Sequence, residues 1–383
     1  MTRSRHQRRF AVAAMTLSIV LSVAVLEAVP RLLPGLMPEK VRTVQRIYDA
    51  RNSWESMMRP DRELGFALRT GLELQFPSEK GPIAVKTADL GIEGIGYRDI
   101  GTTPPFDAIA LGDSFTFCDD SSAEACWVRL LATRTGLSIA DLGVNGYSNL
   151  AEARLLAKVA PVLRPKVVLV GFFPNDFKDN VHFDNWTRSG TDDYWEWMRR
   201  KRRSDLSEWL AQNSFLYRLA DAARRYGDRR TVTHKEGDLE LLFRSDDWWW
   251  GVVERSEVTP TYQLTEQALE AMDVTADSTG SKLVVLLFPF KEQVYWHIAK
   301  GYLDKGREMT EDDVDAPLRA IGAFLDSRGI AYCDLTGALR EQARRGEQLY
   351  LKAGAHWTEA GNRVAAEAVA TCLKNKGVVK IGS

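Results

Sequence analysis

Two kinds of apolar run divide the chain. The first, Phe10 to Leu26, carries no charge over about 25 Å at helical rise and follows Arg3, Arg5, Arg8 and Arg9. It predicts an N-terminal transmembrane helix within residues 1–30, closed by Glu27 and Pro30. Basic residues ahead of the run favour a cytoplasmic N-terminus and export of the remainder. No small-x-small cleavage site follows, so a retained signal anchor is expected rather than a removed peptide. The second kind is short: Phe106–Leu111, Ser138–Leu142, Lys166–Phe172, Lys282–Phe288 and Gly329–Leu335. These runs lack the strict alternation of half-exposed strands, which suits a parallel sheet covered on both faces. Helical patterns lie between them at Ala151–Val162, Leu264–Thr275 and Val314–Ser327.

The alternation predicts an α/β protein, a three-layer α/β/α sandwich of flavodoxin-like type with a central five-stranded parallel sheet. Residues 31–105 read as a stalk with amphipathic helical character followed by a turn-rich N-terminal extension, with short strand candidates at Leu64–Leu68 and Leu72–Phe76. The main domain is expected over residues 106–383. It is interrupted by a long helical insertion at about 177–260, well beyond an ordinary βα connection. The insertion holds Trp186, Trp195, Trp197 and Trp209, the basic run Arg199-Arg200-Lys201-Arg202-Arg203, a helical stretch Ser204–Tyr226, and Trp248-Trp249-Trp250.

Composition narrows the partners. Across 383 residues, 51 Lys and Arg stand against 52 Asp and Glu, so no bulk field exists to hold nucleic acid. Four cysteines, Cys118, Cys126, Cys333 and Cys372, are an even number in a domain expected to be exported, where disulfides are permitted. Proximity favours Cys118 with Cys126, leaving Cys333 with Cys372; four free thiols are the alternative.

The candidate chemistry starts where the first short run ends, in Gly112-Asp113-Ser114-Phe115-Thr116. A serine after a buried strand, beside a glycine that permits a sharp turn, presents its hydroxyl at the carboxyl edge of the sheet. Further blocks follow in order: Gly143-Val144-Asn145-Gly146-Tyr147, Gly171-Phe172-Phe173-Pro174-Asn175-Asp176 and His356-Trp357-Thr358-Glu359-Ala360-Gly361. This set resembles the SGNH, or GDSL-type, hydrolase superfamily. The resemblance implies Ser114 as nucleophile and His356 as general base, with an oxyanion hole made by the backbone N–H groups of Ser114 and Gly146 and the side-chain amide of Asn175. No metal or cofactor enters that chemistry. Gly94-Ile95-Gly96-Tyr97-Arg98-Asp99 and Phe288-Pro289-Phe290-Lys291-Glu292-Gln293-Val294-Tyr295 resemble stretches carried by membrane-anchored members.

One departure stands out. The family pattern places an aspartate two or three residues before the histidine, and here those positions are Ala353 and Gly354. Three readings follow: a Ser–His dyad oriented by a backbone carbonyl, an acid from elsewhere such as Glu359 or the insertion, or an inactive protein. The expected function is a membrane-anchored, extracytoplasmic serine esterase, periplasmic in a Gram-negative host. Its substrate is expected to be an O-acyl, above all acetyl, group on a cell-envelope carbohydrate. The alternatives are a polysaccharide O-acetyltransferase supplied by a membrane acyl-transfer partner, and a catalytically silent glycan-binding or scaffold protein. Trp248, Trp249 and Trp250 are candidate sugar platforms and the basic run a candidate contact for anionic lipid or an acidic glycan. Alternatively the tryptophans form the core of a helical lid and the basic run is a solvated helix face.

Overall fold

The computed structural model describes residues 2–79, 81–92, 94–202, 204–226, 231–244, 260–302 and 309–379. It divides into two compact units, Met1–Asn52 with Arg199–Asp228, and Ser53–Met198 with Arg229–Ser383.

The first unit is helical. Helix α1, Thr2–Leu32, contains a stretch, Arg9–Leu32, that is long and apolar enough to cross a membrane, with mean hydropathy 2.2, and its uncharged part from Phe10 to Leu26 is exposed throughout. A 3₁₀ turn at Pro34–Leu36 leads to α2, Glu39–Met57. The expected single helical stretch 204–226 is two helices, α8 (Asp205–Asn213) and α9 (Phe215–Tyr226), broken at Ser214. The break has a partner 187 residues away: the Glu27 carboxylate accepts from Ser214 Oγ and from the N–H groups of Phe215 (2.7 Å) and Leu216 (3.2 Å), capping α9 from outside. Arg218, itself buried, ties α9 to α2 through Asp49, and Tyr48 donates to Asp221 at 2.7 Å.

The second unit is built on one eight-stranded sheet. Its parallel part comprises β6 (Ala108–Gly112), β7 (Ile139–Gly143), β8 (Val167–Phe172), β11 (Lys282–Leu287) and β12 (Ala331–Asp334). These five strands match the five apolar runs, and β6, β7 and β8 are buried at every residue because helices cover both faces. The sheet is wider than five strands. The extension adds β3 (Glu73–Phe76), β4 (Ile83–Asp89) and β5 (Gly96–Arg98), all antiparallel, joined to the parallel part by Arg98 opposite Asp141. A separate hairpin pairs β1 (Met58–Asp61) with β2 (Gly65–Leu68).

Nor is the insertion wholly helical. After α6 (Asp176–Ser189) and α7 (Tyr194–Arg202), and beyond α8 and α9, comes a hairpin of β9 (Thr231–Glu236) and β10 (Leu239–Arg244). Its alternate residues Leu239, Leu241 and Phe243 enter the main core, and Leu242 N–H donates to Lys352 O at 2.9 Å. The helices Asn149–Leu163 (α5), Pro260–Thr279 and Glu311–Arg328 enclose the three predicted helical patterns. Cys118 is bonded to Cys126, and Cys333 to Cys372, the second bond tying β12 to the last helix, Glu359–Asn375.

Candidate active site

The parallel strands run in the spatial order β12-β11-β8-β6-β7, so the chain reverses its direction of winding between β6 and β8. A crevice opens at the carboxyl ends of the strands at such a point. Ser114 follows β6 there. Gly112 precedes it at φ +150°, and a Cβ on Gly112 would collide with Thr116 Oγ1, so the sharp exit from the strand requires glycine. Asp113 caps the short helix that Ser114 opens, accepting from Phe115 N–H at 2.9 Å.

His356 arrives from the far end of the chain. The segment ahead of it is pinned by an antiparallel bridge between Tyr350 and Trp357, by Leu351 N–H donating to His356 O at 3.0 Å, and by the Lys291 ammonium donating to Gly354 O at 3.1 Å. Lys291 belongs to the Phe288–Tyr295 stretch, which thereby acquires a role: it holds the histidine loop. The imidazole lies edge-on to the Phe115 ring, with centroids 5.4 Å apart. His356 Nε2 is 2.9 Å from Ser114 Oγ.

The other ring nitrogen is not without an acid. His356 Nδ1 is 3.1 Å from Asp120 Oδ2, and Asp120 sits six residues after the serine rather than before the histidine. Of the three readings, an acid from elsewhere is the one this geometry matches, with Asp120 in that place. Among the described residues, neither Glu359, at the start of the last helix, nor any acid of the insertion makes a hydrogen bond or ion pair to His356. Asp119 Oδ2 is also 4.0 Å from His356 Nε2. Burial pulls the imidazole's pKa down. The hydrogen bond to Asp120 and the charges of Asp119, Asp120 and Asp113 outweigh that and push it up to about 9. Burial pushes the Asp119 carboxyl up to about 8, against the pull of His356 and of the Asn145 amide that donates to it.

The loop bearing Asp120 is tightly held. Cys118 and Asp120 adopt left-handed backbone at φ 58° and 64°, and the Cys118–Cys126 bond closes the loop around both acids. Arg98, at the end of β5 and buried, donates through one guanidinium nitrogen to Phe117 O and Cys118 O and through another to Ser121 O at 2.6 Å. Asn362 of the last helix donates to Ser121 Oγ at 3.0 Å. Cys118, Cys126 and Asp141 form a group of metal-ligating residue types, but both sulfurs are in the disulfide and offer no thiolate.

Of the expected oxyanion donors, the backbone N–H groups of Ser114 and Gly146 have no protein acceptor among the described residues. Gly146, at φ +79°, follows β7 in a turn and lies on the same edge of the sheet. Asn175 follows β8, also on that edge. Its amide nitrogen is engaged, donating to Asp113 Oδ2 at 2.9 Å and to Asp179 Oδ2 at 3.1 Å, while its Oδ1 is buried and unpartnered. Behind it, Asn149 Nδ2 lies 3.1 Å from both Glu152 Oε2 and Asp176 Oδ2, and Phe173 N–H donates to Asp176, so buried polar groups fix the turn that carries Asn175. Trp248, Trp249 and Trp250 lie outside the described residues.

Residues 223–382 match a family described as the SGNH hydrolase-like domain of the acetyltransferase AlgX. Among solved structures, the chain is similar to LAE5, an alpha/beta hydrolase enzyme from the metagenome of Lake Arreo, at 15% identity over 73% of this chain and 99% of that one, with TM-score 0.40. It is similar to a member of the lipolytic protein G-D-S-L family from Veillonella parvula at 13% identity, covering 68% and 94%, with TM-score 0.36. It is also similar to a catalytic mutant of Axe2, an acetylxylan esterase from Geobacillus stearothermophilus, at 14% identity, covering 72% and 96%, with TM-score 0.37. No curated protein matches.

Proposed function

From an SGNH hydrolase-like fold as premise, we propose that the protein is a serine-dependent enzyme acting on an O-acyl ester, with Ser114, His356 and Asp120 as its catalytic chain. The contiguous hydrogen-bond path from Ser114 Oγ to His356 at 2.9 Å and on to Asp120 at 3.1 Å carries the reading. In the reaction His356 Nε2 takes the Ser114 hydroxyl proton as Oγ bonds to the acyl carbon. The negative charge passes to the carbonyl oxygen, which faces the N–H groups of Ser114 and Gly146. Collapse breaks the bond to the sugar oxygen, which leaves with the proton from His356. A water, or an acceptor hydroxyl, then attacks the acyl-enzyme with His356 taking its proton, and the acyl–Oγ bond breaks as His356 returns that proton to Ser114. Asp120 holds the imidazole in the tautomer that accepts at Nε2 and stabilises its charged form.

The acyl group is proposed to be acetyl and its carrier a cell-envelope carbohydrate. Two observations support this: the acetyltransferase description of the matched family and the membrane-length helix α1, which would hold the enzyme at the envelope with its catalytic unit exported. The same description favours transfer to an acceptor hydroxyl, with acyl groups relayed by a membrane partner, as the second reading. The full-length protein incubated with a fluorophosphonate should be labelled at Ser114, with Ser114→Ala unlabelled; label at another residue overturns the assignment. Release of acetate from an acetyl ester without acceptor marks an esterase. Acetyl appearing on an added oligosaccharide marks a transferase, and neither, from folded protein, marks a silent binding protein.

A further inference from the structure

Helix α8 carries two large apolar side chains that none of the described residues covers. Leu206 is 68% exposed and Trp209 59% exposed, one helical turn apart on one face, while Glu208 and Ala211 on the opposite face are buried. Isolated exposed apolar residues are ordinary on a soluble surface. The position of this pair is not ordinary. Immediately before α8 the chain reads Arg199-Arg200-Lys201-Arg202-Arg203, five positive charges in succession.

The far end of α8 is attached to α1. Arg31 donates to Asn213 O, the last residue of α8, and Glu27 caps α9 at Ser214, Phe215 and Leu216. Counting from Arg9 at 1.5 Å per residue, a hydrocarbon layer about 30 Å thick ends near Val29. Glu27 and Arg31 therefore sit where α1 leaves the bilayer, and their contacts place the end of α8 at the same level. An indole and an aliphatic side chain within two turns of that end match the aromatic belt of membrane interfaces, and the basic run that precedes α8 in sequence matches anionic headgroups.

We propose that α8, with the basic run that precedes it, is a membrane-lying surface that rests on anionic lipid headgroups beside the exit of α1. The proposal rests on the anchor reading and goes beyond it: an anchor alone leaves the Leu206 end of α8, roughly 10 Å from its contact with α1, free to point into water. With that end also held, the insertion would be tethered to the bilayer at a second point.

The test uses the full chain in lipid nanodiscs of phosphatidylcholine with or without phosphatidylglycerol. All four native cysteines are in disulfides, so a single introduced cysteine takes a fluorophore selectively. Leu206→Cys reports α8, Leu21→Cys reports α1, and Val162→Cys, exposed on α5 of the other unit, reports the solvent baseline. The expected result is that the Leu206 label in phosphatidylglycerol discs is quenched by headgroup nitroxide and shielded from aqueous iodide. Both effects should be lost on adding Trp209→Glu. A Leu206 label as open to iodide as the Val162 label, while the Leu21 label is buried in lipid, overturns the surface and leaves the anchor standing. Equal shielding in discs without phosphatidylglycerol overturns the role given to the basic run, and retention of shielding in Trp209→Glu overturns that of the indole. A Leu21 label open to iodide overturns anchor and surface together.

Discussion

The two loops that face each other across His356 differ in what they bring. The segment from Leu351 to Ala355 delivers the imidazole and is pinned by its own bridge and by Lys291, but it contains no acid. The loop from Cys118 to Ser121, 236 residues away in sequence from the histidine, delivers the acid and is pinned by Arg98, Asn362 and a disulfide. Only the second loop places a carboxylate at His356 Nδ1, so the acid is found by where its oxygen ends up rather than by its spacing from the histidine.

The sharpest way to break that comparison is Asp120→Asn. If Asp120 orients His356, kcat should fall by about 10⁴, the cost of the equivalent change in the serine-protease template, with the fold retained by circular dichroism. A loss of less than about tenfold would return the role to another group. Asn175→Ala comes next. Donation by Asn175 to the developing oxyanion requires one amide hydrogen to leave Asp113 or Asp179, and if that happens in the transition state kcat should fall by about 10² to 10³ with little change in KM. An unchanged kcat would leave Ser114 and Gly146 as the only donors of the expected three.

Smaller effects sharpen the contrast. His356 must be neutral to take the serine proton, and its pKa is raised to about 9. Below that value, kcat/KM should rise about tenfold per pH unit and level off near pH 9. The residual activity of Asp120→Asn should level off at lower pH, because the largest influence raising the imidazole pKa is gone. A plateau already reached at pH 7 in the native protein would contradict the acid-rich surroundings. Least of all should come from Gly354→Asp, which restores an acid at the position usual for the family: with Nδ1 already engaged, kcat should not rise.

The parallel strands could be read from the sequence because strands buried on both faces appear as uninterrupted apolar runs. The position of Ser114 could be read because a glycine-dependent turn at a strand end leaves a local trace. What lay hidden depends on distant partners. The break between α8 and α9 is held in part by Glu27, which no local pattern announces, although Ser214 leaves the trace of an N-cap and accepts from Tyr217 N–H at 3.1 Å. Asp120 sits in a run of small and polar residues, Asp119-Asp120-Ser121-Ser122, that has the composition of an ordinary turn. A usable trace existed for the β9–β10 hairpin, where Leu239, Leu241 and Phe243 alternate after Gly237-Asp238, although helical expectations for the insertion obscured it.

Arg98 finally bears on how the chain can be cut. By sequence the main domain begins at residue 106, which invites an expression boundary there. Such a fragment would retain every block of the catalytic pattern and yet lack the guanidinium that grips Phe117, Cys118 and Ser121. It would also expose β7 as a raw sheet edge. A self-contained unit of this fold therefore starts upstream of β3, and what reads as a spacer ahead of it is the wall against which the Asp120 loop is braced.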